Sequence, residues 1–300
     1  MIDLDAVASL RAVQQLGSVG AAAASLGYTP SAVSQQIKRL ERSTGVPLLE
    51  RVGRGVVLTL EGRLLAERSW RVLADLEDLE ADLQARVGTA TGTLRLVAFA
   101  TAVRGLLAPA LPLLAADHPG LDVRLLERDP WDAVALVAEG QADVGVVHSW
   151  GDVPLAIPDH VHQEHVAEDV ADALVPAGHR LAGRRRVTPK DLAGAPWIAT
   201  PEGTICHEWL MRMHDGTGAL PRIVHRSGEF QTHIALVAAG LGIALVPRLG
   251  RGPLPDGVVA VAVHDPVPRR EITLVVRRTI QRSPAVDVVR SVLRRVAASR

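Results

Sequence analysis

Apolar residues recur at helical spacing near the start of the chain and predict consecutive short helices. A first helix is predicted by Ala6, Val7, Leu10 and Val13. It stops at Gly17, and Ser18 can cap a second, alanine-rich helix that ends at Gly27. A third helix starts only a few residues later, and helices joined by so short a turn indicate a helix-turn-helix unit.

The third helix has a marked start and two distinct faces. Thr29 can cap its free N–H groups, and Pro30 is tolerated at the first helical position. An apolar face that we expect to be buried comprises Val33, Ile37 and Leu40. A polar face that we expect to point outward comprises Ser31, Ser34, Gln35, Lys38 and Arg42.

A hairpin-like wing is predicted after this helix, as two short strands around Gly53. Glutamine can read adenine, serine can bond to bases or phosphate, and Lys or Arg can neutralise phosphate. A polar face alone is also typical of a helix that is merely exposed to solvent. The capped turn, the basic helix face and the basic wing together favour DNA binding. The predicted DNA-binding residues are Ser18, Thr29, Pro30, Ser31, Ser34, Gln35, Lys38, Arg42, Arg51 and Arg54.

A long helix is predicted after the wing, because neither Pro nor Gly interrupts residues 63–87. Its apolar residues form two interleaved seven-residue stripes, typical of a helix that pairs with another helix. Packing on its own domain is the alternative, but acidic residues on the other faces favour pairing. The predicted dimerisation residues are Leu65, Val72, Leu76, Leu79 and Leu83. Gly88 and Gly92 then mark a domain boundary.

Apolar strands alternate with helices over the remainder and predict two α/β lobes. We expect the chain to cross between lobes near 160–164 and 265–269. Ligands in such folds lie beyond the carboxyl ends of strands and between lobes, where free helix N–H groups can hold a carboxylate. Ordinary turn caps are the alternative for each residue. The candidate effector-binding residues are Thr101, Thr200, Pro201, Glu202, Gly203, Thr204 and Gln231.

Composition narrows the function classes further. The 300 residues carry 33 basic and 33 acidic side chains, so any DNA-binding surface must be local. No basic-then-apolar leader and no 18-residue apolar window is found, so we expect a cytoplasmic protein with no membrane partner. The single Cys206 excludes an intrachain disulfide. Alternating His160, His162 and His165 surround an ion poorly, so no metal is expected.

One run resembles the N-terminal domain of LysR-type transcriptional regulators: GSVGAAAASLGYTPSAVSQQIKRLERSTGVPLLERVGRGVVLTLEG. The resemblance extends over residues 4–62. Two departures are Leu49, where the family usually has Phe, and Thr29-Pro30-Ser31, where it usually reads Ser-Gln-Pro. Pro30 therefore stands where a base-contacting Gln is common in the family. We expect Gln35 to make a larger share of the base contacts as a result.

The resemblance continues to about residue 295 through HPGLDVRLLE, LVAEGQADVGVV and ALVAAGLGIALVP. It implies a winged helix-turn-helix domain (1–60), a dimerising linker helix (61–90) and an effector-binding domain (91–300) similar to periplasmic solute-binding proteins. Lobe I is expected over 91–161 and 267–300, and lobe II over 162–266.

The expected protein is therefore a regulator and not an enzyme. Its expected partners are an interrupted inverted repeat in duplex DNA, a small-molecule effector and itself, as a homodimer and, by resemblance, a homotetramer. It needs no cofactor. A solute-binding module, or an enzyme acting in the cleft, is the alternative.

Overall fold

The computed structural model describes residues 2–53, 55–215, 217–218 and 220–299, without the side chains at positions 70, 71, 84 and 87. The chain divides into two compact units, Met1–Arg86 and Val87–Arg300. Of the predicted DNA-binding residues, Arg54 lies outside the described residues.

The first unit is a winged helix-turn-helix followed by a long helix. Its elements are α1 (Leu4–Leu16), α2 (Val19–Leu26), α3 (Pro30–Thr44), β1 (Leu49–Val52), β2 (Gly55–Leu58) and α4 (Leu60–Val87). Thr29 Oγ1 accepts from the N–H of Ala32 at 3.2 Å, so the predicted start of α3 is confirmed. The strands β1 and β2 pair antiparallel as the predicted wing.

The core of this unit consists of small and aliphatic side chains from every helix. Val33, Ile37 and Leu40 are buried in it, as predicted from their spacing on α3. Leu65 and Leu73, from the first half of α4, pack against the same core and are partly buried. The beginning of α4 is thereby fixed to the domain whose wing it follows.

A close approach fixes where α4 starts. Thr59 Oγ1 accepts from the N–H of Gly62 at 3.0 Å and donates to the carbonyl of Pro47 at 2.8 Å. A Cβ at Gly62 would lie only 2.2 Å from the carbonyl oxygen of Leu48, which is backbone and cannot rotate away. Glycine is required here because a side chain would not fit. Its backbone dihedral angles are ones that any residue can adopt.

We expect Gly62→Ala to destabilise the first unit by about 1–3 kcal/mol, because the added methyl forces the chain before the wing to move. Gly20→Ala on α2 is the matched control. Its Cβ meets nothing within 4 Å, and we expect about 0.5–1 kcal/mol of stabilisation from lower chain entropy. Thermal unfolding followed by circular dichroism measures both. Equal melting temperatures for the two variants would contradict the steric argument.

The second unit contains two α/β lobes on one continuous sheet. Lobe I holds β3 (Gly92–Ala98), α5 (Ala100–Ala102), a π-helical turn (Val103–Leu107), α6 (Ala108–Asp117), β4 (Leu121–Glu127), α7 (Pro130–Ala138) and β5 (Val144–Trp150). The chain returns to it with β12 (Arg269–Arg277) and α11 (Pro284–Ala298). Its strand order is β4-β3-β5-β12, with β12 antiparallel to β5.

Lobe II is built on the continuation of the same sheet. It holds β7 (Arg186–Val187), α8 (Pro189–Leu192), β8 (Pro196–Ala199), α9 (Ile205–Met213), β9 (Arg222–Arg226), α10 (Phe230–Ala238), β10 (Ile243–Pro247) and β11 (Val258–Val263). The strand β11 was not predicted from the sequence.

One long strand, β6 (Val161–Pro176), belongs to both lobes. Residues 161–170 pair with β12 in lobe I, and from Ala171 onward the strand pairs with β10 and β11 in lobe II. The predicted crossing at 160–164 was therefore placed too early, and residues 162–170 belong to lobe I. No turn residue marks the true crossing, because the strand passes through it without interruption.

The expectation that no membrane-length apolar stretch exists was wrong. Among the described residues, one helical stretch, Ala100–Asp117, is long and apolar enough to qualify. It packs against the lobe I sheet, where Leu106, Leu107 and Leu114 are buried in the core. Length and composition alone fit a membrane-crossing helix, but core helices of soluble proteins meet the same criteria.

Candidate functional site

The polar face of α3 is presented outward as the sequence predicts. Ser31, Gln35, Lys38 and Arg42 are exposed, whereas Ser34 is half-buried and donates to the carbonyl of Pro30 at 2.9 Å. Gln36, which follows Gln35 in the chain, is buried, and its Oε1 accepts a hydrogen bond from Ser9 Oγ at 2.7 Å. Of the two adjacent glutamines, only the first is therefore available to a ligand.

Around that face lie the other predicted DNA-binding residues. Thr29 Oγ1 and Ser31 Oγ are 3.0 Å apart at the start of α3. Ser18 Oγ accepts from the N–H of Ala21 and so caps α2. Arg51 is exposed on the wing. All these groups belong to the same compact unit as α3. The helix face, the two caps and the wing can therefore contact one DNA duplex together.

The carboxylate of Glu41 ties the wing to α3. One oxygen accepts from the N–H of Leu48 at 2.8 Å and from that of Leu49 at 3.2 Å. The strand β1 therefore starts at a fixed place relative to the last turn of α3, and Arg51 keeps a set position beside it.

The linker helix carries an apolar stripe that is exposed in the described part of the chain. Val72, Leu79 and Leu83 are 50%, 56% and 56% exposed, and Leu76 is also exposed. Leu65, the first residue of the predicted stripe, is instead partly buried against the first unit's core. Acidic side chains occupy the other faces of the helix at Asp78, Glu80 and Asp82.

The candidate effector residue Thr101 lies at the floor of the cleft, beyond the carboxyl end of β3. Its hydroxyl accepts from Arg270 Nη2 at 2.7 Å. The same guanidinium donates through Nε and Nη2 to Asp169 Oδ2 at 3.0 and 2.7 Å. Trp150, Arg270 and Asp169 are direct neighbours across β5, β12 and β6, so strand register alone brings them together.

The predicted turn of lobe II forms a network of its own. Thr204 caps α9, accepting from the N–H of His207 at 3.3 Å, and its Oγ1 lies 2.8 Å from that of the buried Thr200. Pro201, Glu202 and Gly203 are exposed, and Glu202 pairs with Arg226 at 2.7 Å on the rim. Gln231, also exposed, donates to the carbonyl of Arg251 at 3.1 Å.

Each lobe is anchored by a side chain from the other. Trp150, at the end of a lobe I strand, is buried in the lobe II core and stacks on Trp209 at 5.4 Å between ring centroids. Leu249, from a loop after β10, is buried in the lobe I core. Arg104 of lobe I adds an ion pair to Glu229 of lobe II at 3.1 Å. A cavity of about 10 Å³ lies beside Trp150 on the lobe II side and is lined also by Thr200 and Cys206.

Sequence reasoning missed Arg270, Asp169, His148 and Trp150. A signal was present for three of them. Arg270 shares one face of β12 with Ile272 and Leu274, and the three are at most 1% exposed. His148 and Trp150 lie at the end of β5, where every residue except Ser149 is buried. A polar group on the buried side of a strand end can mark the cleft.

The remaining reactive candidates, Cys206 and the histidines near residue 160, lie in separate surroundings. Burial raises the pKa of the Cys206 thiol to about 12, partly offset by Arg270. His165 contacts Glu271 at 3.0 Å, and His160 contacts the carbonyl of Ala138. Within the described ranges, no cluster of three or more His, Cys, Asp or Glu side chains could hold a metal ion.

Comparisons with known families cover nearly the whole chain. Residues 4–63 match the family described as bacterial regulatory helix-turn-helix protein, lysR family. Residues 88–298 match the LysR substrate binding domain. The two matches fall in the two compact units, and most of the linker helix, residues 64–87, lies between them.

Individual proteins show the same similarity over most of their length. The transcriptional activator IlvY of Salmonella typhimurium is 26% identical over 88% of this chain and 85% of that protein. A probable hydrogen peroxide-inducible genes activator of Streptomyces viridosporus is 29% identical, covering 91% and 87%. A full-length OxyR variant from Pseudomonas aeruginosa has the same fold, with a TM-score of 0.76, 19% identity and coverage of 98% and 95%.

Proposed function

The chain belongs to the LysR family of helix-turn-helix transcription regulators, and on that premise we propose which residues read DNA, join two copies and hold the effector. The observation that carries the proposal is the exposed polar face of α3, with Gln35 at its centre. Gln35 reads a base edge in the major groove, Lys38 and Arg42 neutralise phosphates, and Arg51 on the wing follows the backbone. The hydroxyls of Ser18, Thr29, Ser31 and Ser34 support that contact.

Two copies join through the apolar stripe on α4. The stripe is exposed over Val72, Leu76, Leu79 and Leu83, and the acidic side chains on the other faces of the helix keep it from nonspecific association. A two-fold axis between paired linkers places two α3 helices in successive major grooves, so the operator is an interrupted inverted repeat. A tetramer then follows from contacts between effector domains. We place the protein in the cytoplasm, where DNA and effector are both accessible.

The effector binds between the lobes of the second unit. Thr101 and the Thr200–Thr204 turn line that region from opposite lobes. Trp150 and Leu249 restrain the lobes, so the effector acts by favouring one packing of subunits over another more than by wide opening. It shifts this equilibrium only as far as its affinities for the two arrangements differ.

We expect Gln35→Ala to lose about 1–3 kcal/mol of operator affinity, roughly 5- to 150-fold, because one base-edge contact disappears. Binding to random duplex of the same length should change little. Lys38→Ala is the contrasting variant on the same helix face. It should weaken operator and random DNA alike and lower the salt slope by about one charge. Fluorescence anisotropy titrations at several salt concentrations measure all four affinities.

An equal loss for both duplexes in the Gln35→Ala protein would contradict its base-reading role. Circular dichroism should match the unmodified protein for both variants, since both side chains are exposed.

Peroxide sensing through a thiol is not the activity we propose, although one similar protein is named a probable activator of hydrogen peroxide-inducible genes. Burial raises the pKa of the Cys206 thiol to about 12, so the thiol stays protonated at pH 7, and the thiolate is the reactive form. We expect Cys206 to stay reduced in stoichiometric peroxide and Cys206→Ser to leave operator binding unchanged. Thiol titration tests this, with guanidinium-unfolded protein as the reactive control. Rapid loss of the thiol in the folded protein would contradict it.

A further inference from the structure

A buried arginine at the floor of the cleft has one edge that the chain itself does not satisfy. Arg270 is 1% exposed, and its Nε and Nη2 are taken up by Asp169 and Thr101. Its Nη1, equally buried, has no hydrogen-bond partner among the described residues. Buried charged donors are almost always bonded, because leaving one unmade costs its full desolvation penalty. We therefore expect the Nη1 edge to be satisfied by a hydrogen-bond acceptor from outside the chain.

Other buried nitrogen atoms close to this guanidinium also lack a partner. The guanidinium carbon lies 5.1 Å from the Phe99 ring and 5.6 Å from the Trp150 ring. Trp150 Nε1 and His148 Nδ1 are buried and also have no partner in the described part of the chain. Burial and the charge of Arg270 hold the pKa of His148 well below its usual range, so it stays neutral. Thr101, which accepts from Arg270, has its own proton to donate.

The available acceptor, Asp169, is already used by this network. Its Oδ2 takes both arginine bonds, and its Oδ1 accepts from the N–H of Leu249 at 3.0 Å. A water molecule placed at the arginine edge would add two donors of its own to a group of donors. A carboxylate offers only acceptors, and its pairing with guanidinium is the stronger, charge-assisted kind.

Size restricts the ligand further. Arg270 is 1% exposed, and the rings of Phe99 and Trp150 pack on its guanidinium. A carboxylate therefore reaches the free edge only if the surrounding side chains move slightly, which favours a small ligand over a bulky one.

We propose that the floor of the cleft binds the carboxylate of a small monocarboxylate, with the free edge of Arg270 as its charged donor and Trp150 Nε1 beside it. The effector class is thereby narrowed to small organic acids, a step that rests on the proposed function of the cleft. Asp169 is the positioning residue, because it holds the guanidinium in place from the opposite edge.

Acetate and acetamide are the matched probes, since they share shape and differ in charge. Full-length protein labelled with 5-fluorotryptophan carries five tryptophans, and Trp150→Phe identifies the ¹⁹F resonance of that residue. We expect acetate to shift the Trp150 resonance saturably at millimolar concentration. Acetamide should bind at least tenfold more weakly, a comparison that needs no variant.

The paired variant Arg270→Gln with Asp169→Asn removes both charges together and keeps polar side chains in the pair. It should lose the acetate response, whereas Arg124→Gln, an exposed arginine on β4, should keep it. An unmoved Trp150 resonance in 100 mM acetate, or equal responses to acetate and acetamide, would overturn the carboxylate site. If acetate shifts the resonance saturably but leaves operator binding unaltered, the carboxylate site is supported. The same result contradicts the proposal that this site is the effector site.

Discussion

A protein carrying Leu79→Glu and Leu83→Glu is expected to be monomeric and to lose operator affinity by about 10²- to 10⁴-fold, because the second α3 helix no longer binds at the effective concentration that pairing supplies. Both leucines are 56% exposed within one chain, so replacing them removes no intrachain core. Two further carboxylates next to Asp78, Glu80 and Asp82 add like-charge repulsion between two linker helices.

Asp78→Ala with Asp82→Ala is the control on the same helix. Asp82 lies beside the stripe and Asp78 on a face turned away from it, so dimers should persist and operator binding should stay within a few-fold. Sedimentation velocity gives the assembly state, and anisotropy on an operator and on a single half-site gives the affinities. A dimeric Leu79→Glu, Leu83→Glu protein would show that α4 is not the pairing element.

The helical half of the fold follows from local signals that the structure confirms. Thr29 and Pro30 start α3 at the predicted residue, and Val33, Ile37 and Leu40 are its buried face. Caps and periodicity act within one or two turns, so one segment contains all the information needed. The linker helix was predictable for the same reason, apart from Leu65, whose burial depends on how α4 approaches the core.

Long-range pairing is where sequence reasoning was incomplete. Residues 162–170 were assigned to lobe II because the chain was expected to cross between lobes near 160–164, and nothing local shows that one strand serves two lobes. The floor of the cleft was missed for a similar reason. Arg270 meets Asp169 and Trp150 only through the register of three strands, two of which are separated by nearly a hundred residues in the chain.

That register also sets the largest stability effect we expect in the second unit. Arg270→Met leaves the buried Asp169 carboxylate with the N–H of Leu249 as its remaining hydrogen bond in the described network, and should cost about 3–5 kcal/mol. Adding Asp169→Asn removes the stranded charge while still accepting from Leu249. The double variant should therefore be more stable than the single one by about 1–3 kcal/mol, a coupling that independent sites would not show.

Urea unfolding followed by tryptophan fluorescence measures the three proteins and a control, Arg212→Met. Arg212 pairs with the exposed Asp152 at 3.1 Å, and such surface pairs contribute about 0–1 kcal/mol. If Arg270→Met and Arg212→Met shift the midpoint equally, the Asp169–Arg270 pair is not held in a dry cleft, and the argument for unmet donors at its free edge fails with it. If only Arg270→Met is strongly destabilised and Asp169→Asn repairs it, the guanidinium sits in a low-dielectric site, where an unpaired N–H edge is costly enough to select a ligand.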